Sequence, residues 1–107
     1  MPDSPPPRRP ALALFDLLGR RWALRILWEL REEPASFQVL QTRCDGMSTS
    51  VLSQRLGELR EARLVEKADG GRYRLSDQGV SLVARLDWVD DWTRGWADTM
   101  RGRRQRR

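Results

Sequence analysis

The residue types best suited to do chemistry cluster between Ser36 and Ser76, and they suit contact with a nucleic acid. Ser48 or Thr49 can cap a helix reaching Glu61, in which Leu52, Leu56 and Leu59 recur at i, i+4 and i+7. At about 100° per residue the leucines share one face and leave Ser50, Ser53, Gln54 and Gly57 on the other. Gln can pair bidentately with adenine, Ser bonds several base edges, and Gly lets the backbone come close, so this face fits a major groove. Ser48 and Thr49 lie where free helix amides point, a place suited to phosphate. Arg72 and Arg74 fall on one side of a strand-like run and would meet phosphates or the minor groove, and Arg43 is a further phosphate candidate. Arg55, at the edge of the leucine stripe, either reaches a phosphate or pairs with a neighbouring Glu. The plainer readings are a solvated helix face with a capping Ser and arginines that merely keep a strand soluble.

Those positions need elements to hold them. Five of the six prolines fall within residues 1–10, which therefore read as a disordered arm. Ala11–Leu18 reads as a short helix stopped by Gly19 at positive φ. Trp22–Glu32 reads as the next, with Trp22, Ile26 and Leu30 on one stripe and Pro34 ending it. Ser36 caps a third, in which Phe37, Leu40 and Cys44 align before Asp45 and Gly46 break it. Past the leucine-striped helix, Leu64–Lys67 and Arg72–Leu75 are strand-like, and Asp69, Gly70 and Gly71 between them signal a hairpin with a tight primed turn. Tyr73 and Leu75 share one face of it. Ser76 and Asp77 then open the longest helix, running to about Ala97 or Met100. The ordered set is mainly α with a small β-hairpin wing, a winged helix-turn-helix over residues 11–100, followed by a flexible Arg-rich tail at 101–107.

Composition excludes most other classes. With no histidine and Cys44 as the single cysteine, the chain has no imidazole base, no Cys/His zinc set and no internal disulfide, so an enzyme, a metal or a cofactor is not expected. The longest apolar run, Ala11 to Phe15, is too short for a membrane span, and a cytoplasmic protein is expected. The net charge of +5 resides in the ends: the first ten residues carry +1 and the last seven +5, leaving −1 for the rest. Within that core, residues 36–76 carry +2 and residues 77–100 carry −3, so the basic side lies mid-chain. The Arg tail is a nonspecific electrostatic aid whose effect should fall with salt.

Several runs also resemble a known family. Leu17-Leu18-Gly19-Arg20-Arg21-Trp22 leads into Ile26-Leu27-Trp28-Glu29-Leu30; Phe37 and Leu40 follow. Met47-Ser48 then precedes Val51-Leu52-Ser53-Gln54-Arg55-Leu56 and Leu59, with Leu64-Val65 and Tyr73-Arg74-Leu75-Ser76-Asp77-Gln78-Gly79 beyond. Across residues 17–83 this is similar to the HxlR-type, MarR-like winged-helix transcriptional regulators of bacteria. The chain departs from that pattern in having Arg63 where a Gly usually precedes Leu-Val, a short wing, and no cysteine near the N-terminus. The resemblance implies a homodimer that binds double-stranded operator DNA. A winged helix used as a protein-interaction module is the alternative.

The last predicted helix carries Leu82, Val83, Leu86, Trp88, Val89, Trp92, Trp96 and Met100, an apolar surface wider than one core contact needs. With the first helix it is expected to form the dimer interface. Trp88, Trp92 and Trp96, beside Asp87, Asp90 and Asp91, would either pack there directly or line a cleft for a small planar cationic effector.

Overall fold

The structure, a computed structural model, describes residues 9–105, so all but the last two residues of the arm predicted over 1–10 and the last two arginines lie outside the described residues. Helix α1 spans Pro10–Leu18, with proline at the first turn, where its missing N–H costs nothing. Gly19 ends it, but not as the sequence suggests: its φ is −76°, and the left-handed residue of this linker is Trp22, at φ 79°. A Cβ at Gly19 would make a tight approach, 3.0 Å, to the carbonyl oxygen of Phe15.

Helix α2 is shorter than expected, Ala23–Glu29 rather than Trp22–Glu32. Leu30 leaves helical geometry with its N–H shared between the carbonyls of Ile26 and Leu27, and the chain straightens ahead of Pro34. The extension lets Ala35 exchange both backbone hydrogen bonds with Tyr73, at 2.9 and 2.8 Å. Helix α3 spans Phe37–Arg43 with Ser36 as its cap, and helix α4 spans Thr49–Glu61 with Ser48 as its cap.

Strands β1, Val65–Lys67, and β2, Tyr73–Leu75, pair antiparallel with Val65 opposite Leu75. The hairpin is present, but a three-residue 3-10 turn over Asp69–Gly71 closes it in place of a two-residue primed turn. Gly70 and Gly71 both take positive φ there, which is why the pair of glycines is needed. The expected single C-terminal helix is two: α5, Asp77–Ala84, and α6, Asp87–Gln105. At the elbow the N–H groups of Arg85, Leu86 and Val89 each bond a carbonyl three residues back, which tightens the chain and ends α5. Asp87 and Asp90 stand in the first turn of α6, where the helix dipole favours them. Helix α6 continues through Gln105, into the segment read as a tail.

The core joins Ile26 and Leu27 of α2 and Leu30 just past it to Leu40 and Cys44, to Leu52, Leu56 and Leu59 of α4, and to Leu64, Val65, Leu75 and Val83. Where α5 crosses the turn after α4, approach is limited by backbone. Arg63 holds φ 64°, and Ser76 secures that turn: its hydroxyl donates to the Arg63 carbonyl at 2.6 Å and accepts from Gly79 N–H at 3.0 Å. A Cβ on Gly79 would come within 2.1 Å of the Leu64 carbonyl oxygen. Since that oxygen belongs to the backbone, it cannot swing aside. Gly79→Ala is therefore expected to lower stability by about 3 kcal/mol in urea unfolding, and a loss below about 1 kcal/mol would contradict this packing.

Candidate nucleic-acid interface

The two helices of the motif are fixed to each other by local hydrogen bonds. Asp45 and Gly46, at φ 59° and 68°, reverse the chain after α3, and buried Met47 anchors the turn. Gln41 Nε2 then donates to the Met47 carbonyl at 2.8 Å and to Thr49 Oγ1 at 3.2 Å, stitching α3 to the start of α4. Gln41 escaped sequence reading because nothing in its spacing distinguishes a solvated glutamine from one bonded across a turn. Ser48 Oγ accepts from Val51 N–H at 3.2 Å. The Ser48 and Thr49 hydroxyls therefore act as acceptors within the motif, and Ser48 Oγ also lies 3.5 Å from Ser50 Oγ.

Leu52, Leu56 and Leu59 are at most 2% exposed, and Ser50, Ser53, Gln54 and Gly57 are exposed opposite them. Nothing lies within 4 Å of where a Gly57 Cβ would be, so that stretch of helix is bare. Arg60, one turn beyond Gly57 and also exposed, belongs to the same strip. Its i+3 spacing from Gly57 was the available signal. Arg60, Arg63 and Lys67 line a polar cleft of about 640 Å³ between the end of α4 and β1.

Arg55 and Arg43 do not join that surface. Arg55 Nε donates to the Arg21 carbonyl at 2.8 Å and its Nη1 meets Glu58 at 3.1 Å, with the side chain only 18% exposed. Of the two readings of Arg55, the pair with a neighbouring Glu is the one formed here. Glu58 also receives Arg20 at 3.2 Å and Gln54 at 3.3 Å, so the linker between α1 and α2 is fastened to α4. Burial pushes the Glu58 carboxyl up, but the Arg20 hydrogen bond and the nearby charges of Arg55 and Arg20, with Gln54 adding to them, outweigh it and hold the group below its ordinary value. Arg43 turns the other way: Nη1 donates to the Glu29 carbonyl at 3.3 Å and Nη2 lies 3.7 Å from Glu33.

On the hairpin, Arg74 pairs with its cross-strand neighbour Glu66 at 2.7 Å, and the Lys67 ammonium lies 5.5 Å from the centre of the Tyr73 ring. Arg72 is exposed, and no ion pair to it occurs among the described residues. Arg72 is thus the wing residue whose charge is most available. Trp88, Trp92 and Trp96 are 62%, 58% and 50% exposed, and the last two rings stack nearly parallel with centroids 6.0 Å apart. Beside that row Arg94 pairs with Asp90 and Asp91. Cys44 is fully buried, and that burial raises its thiol pKa against the opposing pull of Arg25. Among the described residues no group of three or more acidic, Cys or His side chains could hold a metal, and no helix is long and apolar enough to cross a membrane.

Comparison with known proteins places this geometry. The model of the HxlR-like helix-turn-helix family matches residues 17–101. The chain is 30% identical over 91 residues to an HTH-type transcriptional regulator of Methanocaldococcus jannaschii, covering 81% of this chain and 85% of that protein. It is 31% identical over 90 residues to the HTH-type transcriptional regulator YvaP of Bacillus subtilis, covering 78% and 82%. The crystal structure of quinone-bound YodB from Bacillus subtilis superposes with a TM-score of 0.67 at 29% identity, covering 83% of this chain and 94% of that one.

Two outcomes follow from the titrating groups. Because the folded Glu58 carboxyl lies below its unfolded value of about 4.3, its contribution is complete above that pH and is lost as pH falls through the folded value. Glu58→Gln should melt below the wild type at pH 7, with the gap closing under acid; a gap independent of pH would contradict the ion-pair bracket. The Cys44 thiol should react with a disulfide reagent only at the rate of unfolding, and rapid reaction of the native protein would show that it is accessible.

Proposed function

The chain belongs to the HxlR-like helix-turn-helix family of transcriptional regulators, and on that premise we propose that it binds double-stranded DNA sequence-specifically as a homodimer. In this reading α4 enters the major groove and the hairpin lies against the backbone. The observation that carries it is the division of α4, with three leucines buried on one side and an exposed, uncharged strip of Ser50, Ser53, Gln54 and Gly57 on the other. Short polar groups on a rigid helix can follow base edges without the desolvation penalty of a charge. Ser48 and Thr49, Arg60 and Arg72 flank that strip and would meet phosphates.

The homodimer is supported by an apolar surface at the two ends of the domain. Leu12 and Phe15 of α1 are 49% and 63% exposed, and Trp88, Trp92, Trp96 and Met100 make a row along α6. Exposed indoles in a contiguous row mark an interface, so we assign them to a two-fold contact rather than to a cationic ligand. A two-fold dimer would place the two α4 helices about 34–36 Å apart, one turn of DNA. YodB is described bound to a quinone. In this chain a response to such a compound would not run through Cys44, which is buried in the core.

Sedimentation at micromolar concentration is expected to give about twice the chain mass of 12.5 kDa, and a monomer would overturn the dimer. On DNA selected by the protein from random sequence, Gln54→Ala should narrow the preference over scrambled DNA by about 1–3 kcal/mol. Arg72→Ala should weaken all duplexes alike and reduce the salt slope by about one. If the two variants behave identically on selected and scrambled DNA, the division into base and phosphate contacts fails. If the wild type selects no duplex, the protein-interaction reading of the fold takes its place.

A further inference from the structure

The exposed strip of α4 holds side chains that differ in how much base identity they can carry. Ser50 and Ser53 end in hydroxyls, which rotate and serve as donor or acceptor alike, so they discriminate poorly. Gln54 ends in an amide whose oxygen only accepts and whose nitrogen only donates. Which of the two atoms points where therefore decides what it reads. A neighbour one turn along the helix makes that choice: Gln54 Nε2 donates to Glu58 Oε2 at 3.3 Å. Glu58 is held in turn, with Arg55 Nη1 3.1 Å from its Oε1, Arg20 Nη1 3.2 Å from its Oε2, and its side chain only 20% exposed. Its carboxyl lies below its ordinary value, so at neutral pH it is ionised and accepts only. The amide nitrogen must then face it, because a flipped Gln54 would set two acceptors against each other.

We propose that Glu58 is a positioning residue for base reading, which holds the Gln54 amide in the orientation that suits adenine and so makes α4 select adenine over guanine at one base pair. An amide nitrogen carries two hydrogens. Glu58 takes one, and the other stands beside the amide oxygen. In the major groove adenine offers a donor at N6 and an acceptor at N7, whereas guanine offers acceptors at both O6 and N7. The held amide meets the first pattern with two hydrogen bonds and meets the second with its oxygen against an acceptor. Released from Glu58, the amide can turn over and give its nitrogen to guanine O6, so discrimination between the purines falls. Glu58 acts through Gln54 and contacts no base. The inference rests on the reading of α4 as the groove-facing helix, and adds to it the base selected and the residue that enforces the selection.

The test uses the full chain in two measurements. In the free protein, NMR should show the Gln54 side-chain amide exchanging with solvent several-fold more slowly than that of the exposed Gln78, and Glu58→Met, similar in length but without an oxygen, should remove the difference. Duplexes selected from random DNA by the wild type and by each variant are then sequenced. Gln54→Ala marks the base pair that Gln54 reads, as the position whose preference it erases. There the wild type should favour adenine over guanine by about tenfold or more, and Glu58→Met should bring that ratio below about threefold while the other positions keep theirs. Glu58→Asp, whose carboxylate can still accept from a Gln four residues back, should retain the adenine even where it lowers the melting temperature. A merely structural role for Glu58 would weaken every position alike, and that result overturns the proposal. So does guanine or a pyrimidine at the marked position of the wild type, an adenine preference untouched by Glu58→Met, a Gln54→Ala that alters no position, or a Gln54 amide that exchanges as fast as that of Gln78. If the amide is held but the wild type selects no duplex, the DNA-binding reading itself has failed, and the inference falls with it.

Discussion

Burial of Leu52, Leu56 and Leu59 is the constraint on which the rest of the molecule depends. Each side chain is at most 2% exposed, and burying a leucine contributes about 1.5–3 kcal/mol. The ion pairs around Glu58 are partly exposed, and pairs of that kind contribute about 0–1 kcal/mol each. The leucines therefore hold α4 in the domain, while Glu58, Arg55 and Arg20 decide how it is oriented against the linker from α1. Rotating α4 by a third of a turn would bury Ser53 and Gln54 and expose leucine, so the polar strip faces outward as a consequence of core packing.

Two struts cross from the α1–α2 half of the domain to the helix-turn-helix. Arg55 reaches back from α4 to the carbonyl of Arg21, beside Trp22 in its left-handed conformation. Arg25 reaches forward from α2 to the end of α3. A positive φ on a bulky residue is costly, and here it lies in the linker that Arg55 and Glu58 hold.

Much of this was legible in the sequence because the signals were local. Ser36, Ser48 and Ser76 each cap the helix they announce, as a side-chain oxygen next to free amides must. The leucine spacing of α4 defined both its buried and its exposed face. What escaped depended on partners distant in the chain. Ala35 looks like loop, and only Tyr73, far along the sequence, makes it part of the sheet. Arg43 is joined by Glu33 and the Glu29 carbonyl, and Arg55 by the Arg21 carbonyl, partners too far along the chain for the spacing to announce. The break at Arg85 and Leu86 was hidden by apolar spacing that continues across it, although Asp87 and Asp90 carry the mark of a helix start. Gly19 misled for a different reason: a glycine after a helix suggests a left-handed φ, yet here it stays right-handed and Trp22 takes the positive φ.

The central claim, that the polar strip of α4 reads the major groove from both halves of a dimer, is open to direct measurement. Cys44 is buried, so a cysteine introduced at Ser53 can be labelled selectively with an iron chelate that cleaves nearby DNA. The account predicts cleavage of a duplex selected by the protein at two places about one helical turn apart, and little from the same label at Thr99 on α6. Cleavage absent from Ser53, or as strong from Thr99, would contradict it.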